Sequence, residues 1–164
     1  MWIRTVDRDD LEEIRDLLVK TWHATYDGIY GPDRVNAINN DWHSVKALQK
    51  RLAKPYSEFV IADDGEEILG VAFASMGEGD DRVAYLHQLY VNPEAQGRGA
   101  GKALLIEMES AFPMAARMRL EVEEANAKAI AFYENNGYRM VDRTDNCGSR
   151  DSGIPALIME KPFG

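Results

Sequence analysis

A long strand pattern ending at Val91 runs through "NPEAQ" into Gly97-Arg98-Gly99-Ala100-Gly101, and a helix-forming run begins there without pause. Glycine loses more conformational freedom on folding than any other residue, so a cluster at the mouth of a helix gives the backbone itself a task. The first turn of a helix has unpaired N–H groups and the positive end of the helix dipole, which together attract anions. Glycines remove the Cβ atoms that would hold a phosphate away from those N–H groups. The alternative reading is a tight turn packed against its neighbours. A P-loop is excluded, because Lys102 is followed by Ala103 and no hydroxyl is available for magnesium. The dinucleotide fingerprint is excluded too, since Gly101 comes one place early and no βαβ alternation precedes it.

The flanking pattern limits the fold. Trp2 to Val6 reads as a strand, and Asp7 or Asp9 as the cap of a helix with apolar positions Leu11, Ile14, Leu17, Leu18 and Trp22. Breaks are expected at Gly28 and Gly31-Pro32, followed by one helical region to about Lys54, where Pro55 ends it. Two β-branched, apolar runs then flank Asp63-Asp64-Gly65 as a hairpin. "GEGDD" turns the chain into a third strand, Arg82 to Val91. After the glycine cluster a helix runs to about Ala111 and Pro113 closes it. "MRLEVE" is a strand, Asn126 to Asn136 a helix stopped by Gly137, and "YRMVDR" and "PALIMEKP" are two strands around the polar loop "TDNCGSRDSG".

At 164 residues the chain reads as a single domain over 1–164, and 45% hydrophobic with 29% charged residues is a globular composition. No stretch has the roughly 20 apolar residues of a membrane span. A lone cysteine, Cys147, allows no internal disulfide and fits a reducing compartment, read here as the cytoplasm. A net charge of −9 weighs against nucleic acid as a partner and is compatible with a cationic substrate such as an amine.

Gln96-Gly97-Arg98-Gly99-Ala100-Gly101, directly after "LYVNPE", resembles the signature of the GNAT superfamily of acyl-CoA-dependent N-acetyltransferases. "LEVEEANAKAIAFYENNGYRMV" resembles its second conserved segment, with Asn126, Ala129, Phe132, Tyr133, Gly137 and Tyr138 on the matching positions. The resemblance is tight over residues 82–141. It implies an α/β (α+β) fold with a central mixed, mostly antiparallel sheet of about seven strands, helices on both faces, and a splay between the fourth and fifth strands. It implies acetyl-CoA as cofactor, its pantetheine arm along the backbone of Leu89, Tyr90 and Val91 and its diphosphate on the amides from Gln96 to Gly101. Arg98 and Lys102 would add charge, Asn126 would bond the pantetheine, and Ala129 and Phe132 would flank the cofactor. Tyr133 matches the family's general acid; its other reading is a core tyrosine beside Phe132.

The implied chemistry is direct attack of a primary amine, of a small molecule or peptide, on the thioester. Many family members take their general base from a Glu on the fourth strand, and this chain has no carboxylate between Asp81 and Glu94. Histidine is the side chain whose ordinary pKa lies near neutrality, and His87 is the substitute on that strand. Glu121, Glu123 or a water chain are the alternatives. The first two helices wall the acceptor in this family. Of Trp22, His23, Tyr26, Asp27 and Tyr30, the two tyrosines Tyr26 and Tyr30 are the acceptor-binding candidates, whereas Trp22 continues the core stripe. No metal site is expected, and homodimers are frequent in the family. A second function class, a catalytically silent acetyl-CoA sensor or partner module, is favoured by the missing strand carboxylate alone.

Overall fold

The computed structural model describes residues 1–79, 81–148 and 152–164. The expected turn "GEGDD" and loop "TDNCGSRDSG" therefore lie partly outside the described residues, at Asp80 and at 149–151. The elements are β1 (Trp2–Thr5), α1 (Leu11–Tyr30), α2 (Pro32–Trp42), α3 (Val45–Ala53), β2 (Ser57–Asp63), β3 (Ile68–Met76), β4 (Val83–Val91), α4 (Ala100–Ser110), β5 (Arg117–Glu123), α5 (Ala127–Asn135), β6 (Arg139–Thr144) and β7 (Ala156–Pro162). The strands form one sheet in the order β1-β2-β3-β4-β5-β7-β6. β4 and β5 pair in parallel, Val83–Leu86 against 117–120, and β1–β2, β5–β7 and β6–β7 pair antiparallel. This is the mixed, mostly antiparallel seven-strand sheet that the resemblance implies.

The chain divides into two compact units, Met1–Ala74 with Gln88–Ala111, and Ser75–His87 with Phe112–Gly164. In the first unit Asp7 opens the helical region through a reciprocal capping box with Asp10. The stripe read from α1 is buried as expected, with Leu11, Ile14, Leu17 and Leu18 in one core cluster with Phe59, Ile61, Val71 and Phe73. Arg4 ties this start to the sheet, donating to Asp10 and Asp63 and holding both carboxyls below their ordinary range.

Two helix boundaries differ from the expectation. Gly28 does not break α1, because a glycine inside a helix costs only about 1 kcal/mol relative to alanine. The break falls at Gly31 alone, at φ 86°, with Pro32 opening α2. The single region to Lys54 is instead two helices, parted at His43 and Ser44, where Ser44 Oγ accepts from the N–H of Ala47 at 3.1 Å. Arg15 Nη1 donates to the His43 carbonyl at 3.0 Å and Arg51 Nη2 to the Trp42 carbonyl at 2.7 Å, so two cations satisfy the end of α2.

His43 is fully buried, with Nδ1 2.7 Å from Asn39 Oδ1. Burial first, then the charges of Arg51 and Arg15, push its pKa down to about 3 from the ordinary 6.5. The unfolded chain therefore takes up this proton first, and the folded state loses stability as pH falls from 6.5 towards 3. The expected loss from this one group is about 2 kcal/mol at pH 5. Urea melts at pH 7 and pH 5 will show it, and in His43→Phe that part of the pH dependence will be missing.

In β3, a Cβ on Gly70 would lie 2.9 Å from the Tyr90 carbonyl and 2.9 Å from Leu104 Cδ1 of α4. The backbone oxygen has no room to yield. Gly70→Ala is expected to destabilise the protein by about 1–3 kcal/mol, read as a lowered melting temperature. In the second unit α5 ends at Gly137, at φ 96°, and Met118, Leu120, Val122, Tyr133, Tyr138 and Met159 are buried.

Candidate active site

The loop after β4 begins with a short turn in which Asn92 Oδ1 accepts from the N–H of Glu94 at 3.0 Å. Gly97 and Gly99 then stand at φ 86° and 83°, and a Cβ built on either meets nothing within 4 Å. Positive φ explains why these positions are glycine, and the open space shows that neighbouring protein does not. Gly99 is the N-cap of α4 and contributes no side chain to cap it. The N–H groups of the first turn of α4 therefore face a side with no Cβ and no capping oxygen, a cradle that fits a diphosphate. Arg98 and Lys102 are exposed at its rim, with Arg98 Nη2 3.5 Å from Asp64 Oδ2.

Leu89, Tyr90 and Val91 at the end of β4 are half-buried. The preceding Gln88 is buried, and its Oε1 has no hydrogen-bond partner among the described residues. Sequence reasoning passed over Gln88, because a glutamine at an inward position of a strand gives no signal until its burial is known. In α1, Tyr26 is 1% exposed and packs on Trp22 at 4.4 Å, with Tyr30 stacked on Tyr26 at 5.5 Å. Tyr26 is thus a core residue, and Tyr30 stays half-buried with the Arg34 guanidinium over its ring.

In the second unit Asn126 caps α5, its Oδ1 accepting from the N–H of Ala129 at 3.1 Å. Ala129 and Phe132 are half-buried. Tyr133 is buried, edge-on to Phe132 at 5.3 Å and to Tyr138 at 5.6 Å. Burial, and after it the charge of Glu123, push its phenol well above the ordinary value, so the group keeps its proton. Glu123 is itself buried and accepts from Cys147 Sγ at 3.8 Å. Burial, and after it the charges of Glu123 and Glu121, raise the Cys147 thiol, which leaves it un-ionised. Glu121 is exposed and accepts from the N–H of Gly148. His87 is exposed on β4, with Nε2 2.7 Å from Ser75 Oγ and its ring stacked on Tyr85.

A mixed seven-strand sheet with a glycine loop between β4 and an uncapped α4, and a buried phenol on an Asn-capped α5, is the layout of an acyl-CoA-dependent acyltransferase. The model of the Acetyltransferase (GNAT) family matches residues 11–138. The spermidine N(1)-acetyltransferase of Thermoplasma acidophilum is 28% identical over 170 residues, spanning 98% of this chain and 96% of that protein. N-alpha-acetyltransferase RimI of Mycobacterium tuberculosis is 33% identical over 128 residues, 77% of this chain and 80% of that protein. A crystal structure of PaiA N-acetyltransferase from Thermoplasma acidophilum in complex with coenzyme A superimposes with a TM-score of 0.85 at 25% identity, covering 99% of this chain and 98% of its own. The chain belongs to the GNAT family, as an N-acetyltransferase that takes its acetyl group from acetyl-CoA and gives it to an amine. Among the described residues no helix is long and apolar enough to cross a membrane.

Proposed function

We propose that residues 1–164 act as one cytoplasmic N-acetyltransferase domain whose acceptor is a primary amine of a small molecule or peptide. Acetyl-CoA supplies an activated thioester. The amides from Gln96 to Gly101 hold its diphosphate, with Arg98 and Lys102 adding charge at the rim. Backbone groups of Leu89 to Val91 pair with the pantetheine arm, the Gln88 carboxamide accepts one of its N–H groups, and Asn126, Ala129 and Phe132 of α5 line its path. Tyr30 walls the acceptor, with Tyr26 packed behind it on Trp22. The named substrates of the relatives, spermidine in one case, support an amine acceptor of this kind.

The observation that carries the reading is Tyr133, a buried phenol on α5 packed edge-on to Phe132 and Tyr138. A departing thiolate needs a weak acid beside it, and a neutral phenol is one. A primary amine has an ordinary pKa near 10.4, so a base must first take its proton. His87 fills that role as an exposed imidazole oriented through Ser75. A second reading of the base rests on Glu123, whose buried carboxylate acts on Tyr133. His87→Ala and Glu123→Gln separate the two: the true base variant loses about 10²-fold in kcat/KM and the rising limb of its pH profile. If neither moves that limb, proton removal is left to water. The reading as a whole is tested by incubating the protein with acetyl-CoA and a panel of amines and peptides, following thiol release and product mass. Tight acetyl-CoA binding without release on any acceptor would leave two readings, an acceptor outside the panel or the silent sensor.

A further inference from the structure

Four buried side-chain atoms in and around α1, α2 and α3 have no hydrogen-bond partner among the described residues: Trp22 Nε1, Asn39 Nδ2, His43 Nε2 and Arg51 Nη1. Trp22, Asn39 and His43 are 1%, 2% and 0% exposed. They form one cluster. The Trp22 and His43 rings lie 5.5 Å apart, Asn39 is bonded to His43 through Oδ1, and Arg51 holds the carbonyl of Trp42, the residue before His43. Buried polar groups in folded proteins are as a rule paired, so four together point to a partner that is not part of this chain.

Three of the four atoms are donors, and His43 Nε2 is the exception, an acceptor while Nδ1 donates to Asn39 Oδ1. The indole of Trp22, the carboxamide nitrogen of Asn39 and the guanidinium of Arg51 only donate. Arg51 carries a charge on a half-buried side chain whose Nη1 is fully buried, and among the described residues no carboxylate pairs with it. A buried guanidinium without a counter-charge is unfavourable, and a planar carboxylate matches its fork. His43 joins as a donor once it takes up a proton. The charges of Arg51 and Arg15 oppose that, and an anion beside Arg51 would favour it.

We propose that Trp22, Asn39, His43 and Arg51 form a binding site for a carboxylate group among α1, α2 and α3. Its source is either a free small carboxylate or the carboxylate of an amino-acid-type acceptor. The second source would reach the cluster from the acceptor side only where the packed aromatics of α1 part. The aromatic row of Tyr30, Tyr26 and Trp22 links the half-buried Tyr30 to the cluster at ring spacings of 5.5 and 4.4 Å. That arm rests on the acceptor wall proposed above; the free-carboxylate arm does not.

The test titrates the full-length wild-type protein with sodium formate and sodium acetate by calorimetry and thermal melting. Formamide and sodium chloride at matched ionic strength are the controls. A saturable response to a carboxylate, absent with formamide and weakened about 10- to 100-fold in Arg51→Met, is the expected result. In the transfer assay, a kcat/KM at least tenfold higher for amino acids than for their amides, lost in Arg51→Met, assigns the carboxylate to the acceptor. Formate or acetate binding without that preference assigns it to a free carboxylate. No saturable response in the folded wild type and no acceptor preference overturns the site, as does a response to chloride equal to that to formate. Carboxylate binding that persists while no amine is acetylated overturns only the proposed function.

Discussion

Tyr133→Phe is expected to lower the turnover number of acetyl transfer by about 10²- to 10⁴-fold, the range of a lost general acid, while acetyl-CoA still binds. The reason lies in what the substitution keeps. Phenylalanine preserves the ring that sits edge-on to Phe132 and Tyr138, so the packing around α5 survives. What disappears is one O–H in a buried position, where burial and then the Glu123 charge hold the proton on the oxygen. A phenol raised in this way stays protonated across the working range, so Tyr133 contributes no falling limb at moderately alkaline pH. Thiol release gives the rate, and calorimetry with coenzyme A gives the binding. If turnover is unchanged while the variant is folded, Tyr133 is a core tyrosine and another group protonates the thiolate.

The parts of this fold that were readable in the sequence are those governed by local rules. The change of period from helix to strand after Pro55, the Asp-Gly hairpin and the Asn126 cap depend on neighbours a few residues away. The stripe from Leu11 to Trp22 has helical spacing because it faces the interior, Leu11 to Leu18 in one core cluster and Trp22 in the next. The misread places are those where tertiary contacts decide. Gly28 looks like a breaker, but packing on either side carries α1 through it to Gly31. The break at His43 was hidden because the groups that stabilise it, Arg15 and Arg51, are remote in sequence.

The candidate site divides along the same line. The glycine loop and Tyr133 stand in short motifs and could be read directly. The burial of Gln88, Glu123 and Tyr26 could not, since alternation along a strand or a helix does not show how deep a position lies. From its spacing to Tyr30 near a break, Tyr26 reads in the sequence as an acceptor-facing residue. The structure gives it a ring contact with Trp22 and almost no exposure, so its contact with any acceptor would require the wall to open.

Gly99→Val is expected to reduce kcat/KM for acetyl-CoA by about 10- to 150-fold, the effect of losing one charge-assisted hydrogen bond. Two causes have to be kept apart. Gly99 stands at φ 83°, where a β-branched residue is strained by about 1–2 kcal/mol, and this lowers stability whether or not a ligand binds there. The added side chain also occupies the open face of the first turn of α4, where a Cβ meets no protein atom. Gly99→Asn separates these causes, because asparagine tolerates positive φ yet still brings a Cβ. S-acetylpantetheine separates them again, since it carries the thioester without the diphosphate. Both variants should lose activity with acetyl-CoA and keep most of it with S-acetylpantetheine, and Gly99→Asn should melt close to the wild type. Equal losses with the two donors would mean that the loop only shapes the turn and that the diphosphate is held elsewhere.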